Sequence, residues 1–275
     1  MLPVVSHEAK TERWPYVTIC LIGLNLIVFA FEATIGVRFI PFLQEWGLVP
    51  ARVNAEITVH NMATLGSSMF LHVSVIHVLS NMWFLYVFGD SVEDALGPRW
   101  YLFLYLTAGF FGSIAYIAAS SGSPTPVVGA SGAIAGVMAA SLVMWPTARL
   151  KAPGVFLLIY TLSLLYTLLN LVGLPAIVLG GPVVFVLGAL LTLLMSRGGG
   201  GLLAAMLRGV EVPAYIVLGL FLGMQLYSGA LALVNPAYGG SVGWWAHIGG
   251  FASGALFTWL FPKHPVLLRK RAVLE

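Results

Sequence analysis

Residues 127–136 read VVGASGAIAG, a run of small residues in which Ser131 carries the only hydroxyl. The breaker run SSGSPTP, residues 120–126, precedes it and an apolar run follows it. A helix is therefore expected to start near Ser131. Two readings of the stretch stay open at this point. Gly132 and Gly136 form a small-xxx-small pair, the pattern that lets membrane helices approach closely, so Ser131 could be there for its size. The other reading gives its hydroxyl a chemical task.

The surroundings settle the solvent. The chain has 275 residues, of which 59% are hydrophobic and 8% charged, and its mean hydropathy is +0.95. Apolar runs of about 18 or more residues indicate bilayer-spanning helices. Such runs lie at about 16–34, 74–89, 100–120, 131–145, 154–172, 175–195, 212–234 and 243–262. The expected fold class is an all-α polytopic membrane protein forming a single domain over residues 1–275. The lone cysteine, Cys20, excludes a disulfide framework and a cysteine-based metal site within one chain. The net charge of +3 comes from basic residues that are scattered or at helix ends, which indicates membrane topology and no nucleic-acid partner. The polar N-terminus, SHEAKTER, and the lack of an A-x-A-like site after the first span argue against a cleaved signal.

The loops orient the spans. GDSVEDALGPR, PTARLKAP, SRGGGGLLAAMLRGVE and PKHPVLLRKR lie on one side with the N-terminal Lys10 and Arg13, while only Arg38 and Arg52 fall on the other. The positive-inside rule makes the basic-rich side cytoplasmic, with both termini there. The expected location is the cell (plasma) membrane, with the lipid bilayer itself as one partner. Residues 36–73, longer and mixed, are expected to form a folded outer segment with short interfacial helices.

Ionisable and strongly polar groups inside lipid are costly and mark function by default. His77 and Asn81 are four residues apart and share one helix face. His247 follows Trp244 and Trp245, which suit an outer aromatic belt. The span count puts His77, Ser131 and His247 in the same outer part of the membrane. The span opened by Ser131 is short: a helix to Trp145 rises about 22 Å against a core of about 30 Å. Ser131 thus lies in a recess that water from the outer side can fill. His247 could take its proton if the fourth and last spans touch, and Gly132, Gly136, Gly250 and Gly254 permit that contact. The first N–H groups of the Ser131 helix, with His77 and Asn81, could bind an oxyanion. No acidic residue is within reach of His247 in the sequence pattern, so a two-residue dyad is expected. Zinc proteolysis would need H-E-x-x-H; the sole His-Glu, His7-Glu8, continues Ala-Lys. An aspartyl protease would need two facing intramembrane carboxylates, which are lacking. Three histidines could bind zinc on their own, but that leaves the Ser131 stretch unexplained, so no metal and no cofactor are expected.

The blocks FLHVSVIHVLSNMWFLYVFGDSVEDALG, GASGAIAG and WWAHIGGFASG, in this order on three spans, resemble the rhomboid intramembrane serine proteases. The resemblance covers about 15–150 and 212–262. It implies a six-helix core and a Ser–His dyad that cleaves transmembrane segments of other proteins through an acyl-enzyme. It makes Ser131 the nucleophile and His247 the base, with His77 and Asn81 assisting the oxyanion and Gly129 shaping the loop before the nucleophile. It gives His72 a structural or water-related role, and makes Gly89–Glu93–Gly97 a structural turn. Three features depart from it. HNMATLGSSMFLH lacks the Trp-Arg that some members carry in the first outer loop. Ala135 stands where some members carry an aromatic residue, and the runs at about 154–195 add a two-helix transmembrane hairpin. The rival readings are an inactive rhomboid-like protein that binds membrane clients, and a transporter, suggested by 31 glycines and 15 prolines. The transporter predicts repeated halves, which the sequence lacks. The partners expected are transmembrane protein substrates.

Overall fold

The structure, a computed structural model, describes residues 4–6, 13–153, 209–234 and 242–260. The chain divides into two compact units, Met1–Glu8 with Pro146–Met224, and Ala9–Trp145 with Gln225–Glu275.

The second unit holds helices α1 (Tyr16–Thr34), α2 (Phe39–Trp46), α3 (Pro50–Ala55), α4 (Val59–Ser67), α5 (Val75–Leu96), α6 (Pro98–Ala119), α7 (Ser131–Met144) and α9 (Trp244–Leu260). Helix α8 (Ala214–Val234) contributes its second half. Among the described residues α1, α5, α6 and α8 are long and apolar enough to cross a bilayer, while α7 is shorter. The short α7 is tolerated because eleven of its 14 residues are buried in protein, packed against α5, α6 and α9.

Local chemistry fixes these helices in place. The first N–H groups of a helix have no intrahelical partner. In α1 two of them are taken by a carboxylate from α5: Val17 N–H donates to Glu93 Oε1 at 2.9 Å and Thr18 N–H to Oε2 at 2.8 Å. The Thr18 hydroxyl adds a third bond to Oε2 at 2.8 Å. An anion at the positive end of the helix dipole is favourable, which suits the burial of Glu93. One turn later Gly97, at φ +79°, ends α5, and Pro98 opens α6, the usual pairing of glycine past a helix end with proline at a helix start. Gly89–Glu93–Gly97 is thus a structural turn, as expected.

Residues 36–73 form α2–α4 and two 3-10 turns, Gly36–Arg38 and Ser68–Phe70. Arg52, one of two basic residues in this segment, donates to the carbonyls of Gln44, Glu45 and Gly47 at 2.7–3.0 Å, closing the C-terminal end of α2. The segment also holds the chain that leads into the Ser131 stretch. Leu48 and Val127 exchange both backbone hydrogen bonds at 3.1 and 2.9 Å, and Ala51 N–H donates to Ser123 at 3.0 Å.

The first unit contains what the all-α reading does not predict. Strands β1 (Val4–Ser6), β2 (Arg149–Pro153) and β3 (Gly209–Pro213) form an antiparallel sheet in the order β1-β2-β3, with Val5 opposite Leu150 and Leu150 opposite Val212. The strands have three to five residues and lie in stretches that read as charged or Pro-containing punctuation, too short for span-scale hydropathy to register. The transmembrane hairpin expected at about 154–195 lies outside the described residues.

Candidate active site

Helix α7 begins at Ser131, directly after the bridge to Leu48, and α9 lies along it. This brings together two side chains 116 positions apart in sequence: His247 Nε2 lies 2.7 Å from Ser131 Oγ. Both residues are half-buried, so the hydroxyl is held in protein yet reachable. A cavity of about 770 Å³ opens beside the start of α9, bounded by Tyr116, the 120–125 loop, Ala232 and Leu233 of α8, and Trp244 with Trp245.

The sequence reading missed the residue on the other side of the imidazole. Gln225 of α8 is buried, and its Oε1 lies 2.7 Å from His247 Nδ1. One turn further along, Trp245 Nε1–H donates to the Gly229 carbonyl at 3.1 Å, so α8 is tied to α9 at two points. The available signal was the only carboxamide in an otherwise apolar span. A buried amide in a membrane helix needs a partner, and that should have placed it beside another polar group.

The remaining expected residues gather around Gly129. This glycine has φ +125°, a region that L side chains rarely adopt, and its N–H donates to the Ser68 carbonyl at 2.8 Å. A Cβ there would lie 2.8 Å from His77 Nε2 and 3.4 Å from Asn81 Nδ2, so both side chains close on the backbone two residues before Ser131. Ser74 caps α5 by accepting from His77 N–H at 3.2 Å, which sets His77 in the first turn. His77 also lies within electrostatic reach of His247.

His72, expected to be structural, is fully buried and edge-on to His77, with ring centroids 5.0 Å apart. Its Nε2 lies 2.9 Å from Asn81 Nδ2. An amide nitrogen only donates, so Nε2 accepts and His72 is the neutral Nδ1–H tautomer. That bond uses one Asn81 N–H and leaves the second for the Gly129 side. The His72 backbone N–H donates to the buried Glu32 carboxylate of α1 at 3.2–3.3 Å. Glu32, two residues before the end of α1, is the second residue missed. It stands seven residues after Asn25, which stands seven after Thr18, and all three are buried on one face of α1.

Burial, with the neighbouring His77 adding to it, lowers the His72 pKa to about 4 from an ordinary 6.5. The folded protein thus binds this proton less readily than the unfolded chain. The stability that His72 contributes is fully present above about pH 6.5 and is lost as the pH drops from there to about 4. The facing titratable groups are Glu32 on α1 and His77 on α5. Melting temperatures of wild type and His72→Gln in detergent between pH 4 and 7 check this. The wild-type value should fall more steeply with acid, whereas parallel curves would remove His72 as the cause.

A family model for the rhomboid domain matches residues 59–197, a stretch that contains His72, His77, Asn81, Gly129 and Ser131 and ends before His247. RHOMBOID-like protein 12, mitochondrial, from Arabidopsis thaliana is 38% identical over 103 residues, covering 32% of this chain and 31% of that protein. The Homo sapiens presenilin-associated rhomboid-like protein, mitochondrial, is 35% identical over 98 residues, or 35% and 25% of the two chains. Rhomboid protease GluP of Bacillus subtilis is 32% identical over 144 residues, or 50% and 27%. The matched parts span about a quarter to a third of these relatives. They overturn the expectation of a cell (plasma) membrane with both termini cytoplasmic, because several of them are named mitochondrial. The multi-pass membrane character stands. With the family model matched over half of the chain, the protein belongs to the rhomboid family.

Proposed function

We propose that the protein is an intramembrane serine endopeptidase that cuts transmembrane segments of other membrane proteins. The observation that carries this reading is the 2.7 Å contact between Ser131 Oγ and His247 Nε2. In the first step His247 Nε2 takes the hydroxyl proton as Oγ attacks the substrate carbonyl carbon. The tetrahedral oxyanion meets the free N–H groups at the start of α7 and the second N–H of Asn81, with His77 beside it. His247 then gives the proton to the leaving amine, and an acyl group remains on Ser131. Water, deprotonated by the same imidazole, releases it as a carboxylic acid. The relative named a rhomboid protease favours this reading, and those named mitochondrial favour a mitochondrial membrane for this chain. Helical peptide bonds are shielded, so substrates with Gly or Pro near the cut, which weaken the helix, are the better ones.

The test is to incubate detergent-solubilised protein with a model transmembrane substrate, wild type beside Ser131→Ala. Cleavage by wild type alone supports a protease. Substrate capture without cleavage by wild type would favour the inactive, client-binding reading. Asn81→Ala should lower the cleavage rate on the order of 100-fold, the usual worth of one oxyanion donor, without abolishing it. A wild-type rate on a slow substrate would remove Asn81 from the site.

The domain organisation is proposed as one rhomboid core, about 15–150 and 212–262, with a hairpin at about 154–195. Its two apolar runs are each about 20 residues, long enough to span. The pairing of Pro153 with Gly209 supports an even number of crossings, since the chain between them leaves and returns at one place. In a Cys20→Ala background, a cysteine at Gly173 should react with an impermeant thiol reagent from the same face as a cysteine at Gly122, in the exposed loop before α7. Reaction from the opposite face would overturn the hairpin.

A further inference from the structure

The structure assigns Gln225 as the residue that sets the tautomer and orientation of His247, so that the Ser–His pair works as a Ser–His–Gln triad. This inference rests on the protease reading above and deepens it. The geometry is a continuous line: Ser131 Oγ to His247 Nε2 at 2.7 Å, and His247 Nδ1 to Gln225 Oε1 at 2.7 Å. Three helices, α7, α9 and α8, each supply one member.

The chemistry depends on which imidazole nitrogen carries hydrogen. A carboxamide oxygen only accepts, so Nδ1 must be the protonated nitrogen, and the Nε2 lone pair then faces the serine hydroxyl. That is the tautomer a general base needs. The opposite tautomer would donate from Nε2 to Ser131 and could not take its proton. Gln225 also acts during the reaction. When Nε2 accepts the serine proton the ring becomes cationic, and Nδ1–H becomes a stronger donor to the same carbonyl. A neutral amide cannot accept the proton, so Gln225 orients and stabilises but does not relay. It is a positioning residue. Its burial within an apolar helix keeps it there: a carboxamide turned toward lipid would lose its only kind of partner.

A purely structural alternative exists, because α8 is also tied to α9 through Trp245 and Gly229. Gln225 could serve only as a second tie. The two roles separate by the reactivity of the serine itself. A fluorophosphonate reacts with an activated serine with no need of substrate: the Ser131 Oγ–P bond forms, the P–F bond breaks, fluoride leaves with the electron pair, and the proton passes to His247. The experiment measures its labelling rate, kcat and KM on a transmembrane substrate, and melting temperature. The proteins are full-length wild type, Gln225→Leu, Gln225→Glu, Gln225→Asn and Trp245→Phe.

Gln225→Leu should label on the order of 10- to 100-fold more slowly, a part of the roughly 10²–10⁴ that a general base supplies. Its kcat should fall by the same factor with KM little changed. Gln225→Glu keeps an oxygen acceptor of the same reach and should label within about fivefold of wild type or faster, since an Nδ1–H···O bond, now charge-assisted, remains. Gln225→Asn is one methylene short, so it should be slowed even where Gln225→Leu fails to fold. Trp245→Phe should label at close to the wild-type rate. Wild-type labelling by a folded Gln225→Leu or Gln225→Asn overturns the assignment. So does a Trp245→Phe protein slowed as much as Gln225→Leu, because a helix tie would then explain both. A wild type that does not label at all rejects the protease reading itself, a different outcome from either.

Discussion

Ser131→Ala and His247→Ala proteins should each fold and cleave no measurable substrate, and the double variant should be no worse than either single one. Ser131 supplies the only hydroxyl of the VVGASGAIAG stretch, and no other nucleophile there can replace it. Without His247 the hydroxyl keeps its proton and is a weak nucleophile. In the proposed dyad the two act as one unit, so removing the second partner should remove nothing further and their effects should not add. The fold should survive both changes. Ser131 provides no side-chain cap for α7, whose N-cap is Ala130, so alanine leaves the helix start as it is. His247→Ala leaves the Gln225 amide unpaired, a loss of about 1–3 kcal/mol that a buried bundle of this size withstands. Melting temperature and cleavage rate, measured on the same preparations, check both halves of the expectation. Turnover by folded Ser131→Ala protein would end the dyad account.

Gly250→Ala should cost as much activity as the loss of the serine, through packing alone. A Cβ on Gly250 would run into the Gly132 carbonyl, and one on Gly254 would lie 2.5 Å from the Gly136 Cα. The obstacles are backbone atoms, so no side-chain rotation relieves them. Helices α7 and α9 must move apart. Gly250 is three residues from His247 on the same helix face, so the separation draws the imidazole off Ser131. Ordinary overpacking costs about 1–3 kcal/mol, and a backbone-to-backbone clash at the centre of the bundle should exceed that. Gly23→Ala in α1 is the control, because nothing lies within 4 Å of its added Cβ. It should be neutral or slightly stabilising, since alanine is the better helix former by about 1 kcal/mol. Equal behaviour of the two variants would show that the glycines of α9 do not set the helix contact.

The same close packing explains what could be read in the sequence. Gly132, Gly136, Gly250 and Gly254 announce that two spans touch, and Ser131 and His247 lie one position or one turn from those glycines, so their meeting follows from the pattern. Boundaries of α1, α6 and α8 follow from hydropathy because each is long, apolar and bounded by Pro, Gly or charge. The residues missed share a different physics. Gln225 and Glu32 are single polar groups whose partners lie on other segments, His247 on α9 and the backbone of His72 ahead of α5, and periodicity within one helix does not reveal which neighbour it will meet. For Glu32 a signal existed in the seven-residue spacing of Thr18, Asn25 and Glu32, a polar line that a lipid-facing span would not carry. The sheet was hidden for another reason. Its strands are short and paired across long sequence separations, with Val5 opposite Leu150, so only tertiary pairing defines them.

The central claim is that Ser131 is a nucleophile activated by His247. The most direct measurement is peptide mass spectrometry of the full-length protein after treatment with a fluorophosphonate. One phosphonyl adduct is expected, on Ser131, present in wild type and absent in His247→Ala. No adduct on wild type, or an equal adduct without His247, would contradict it.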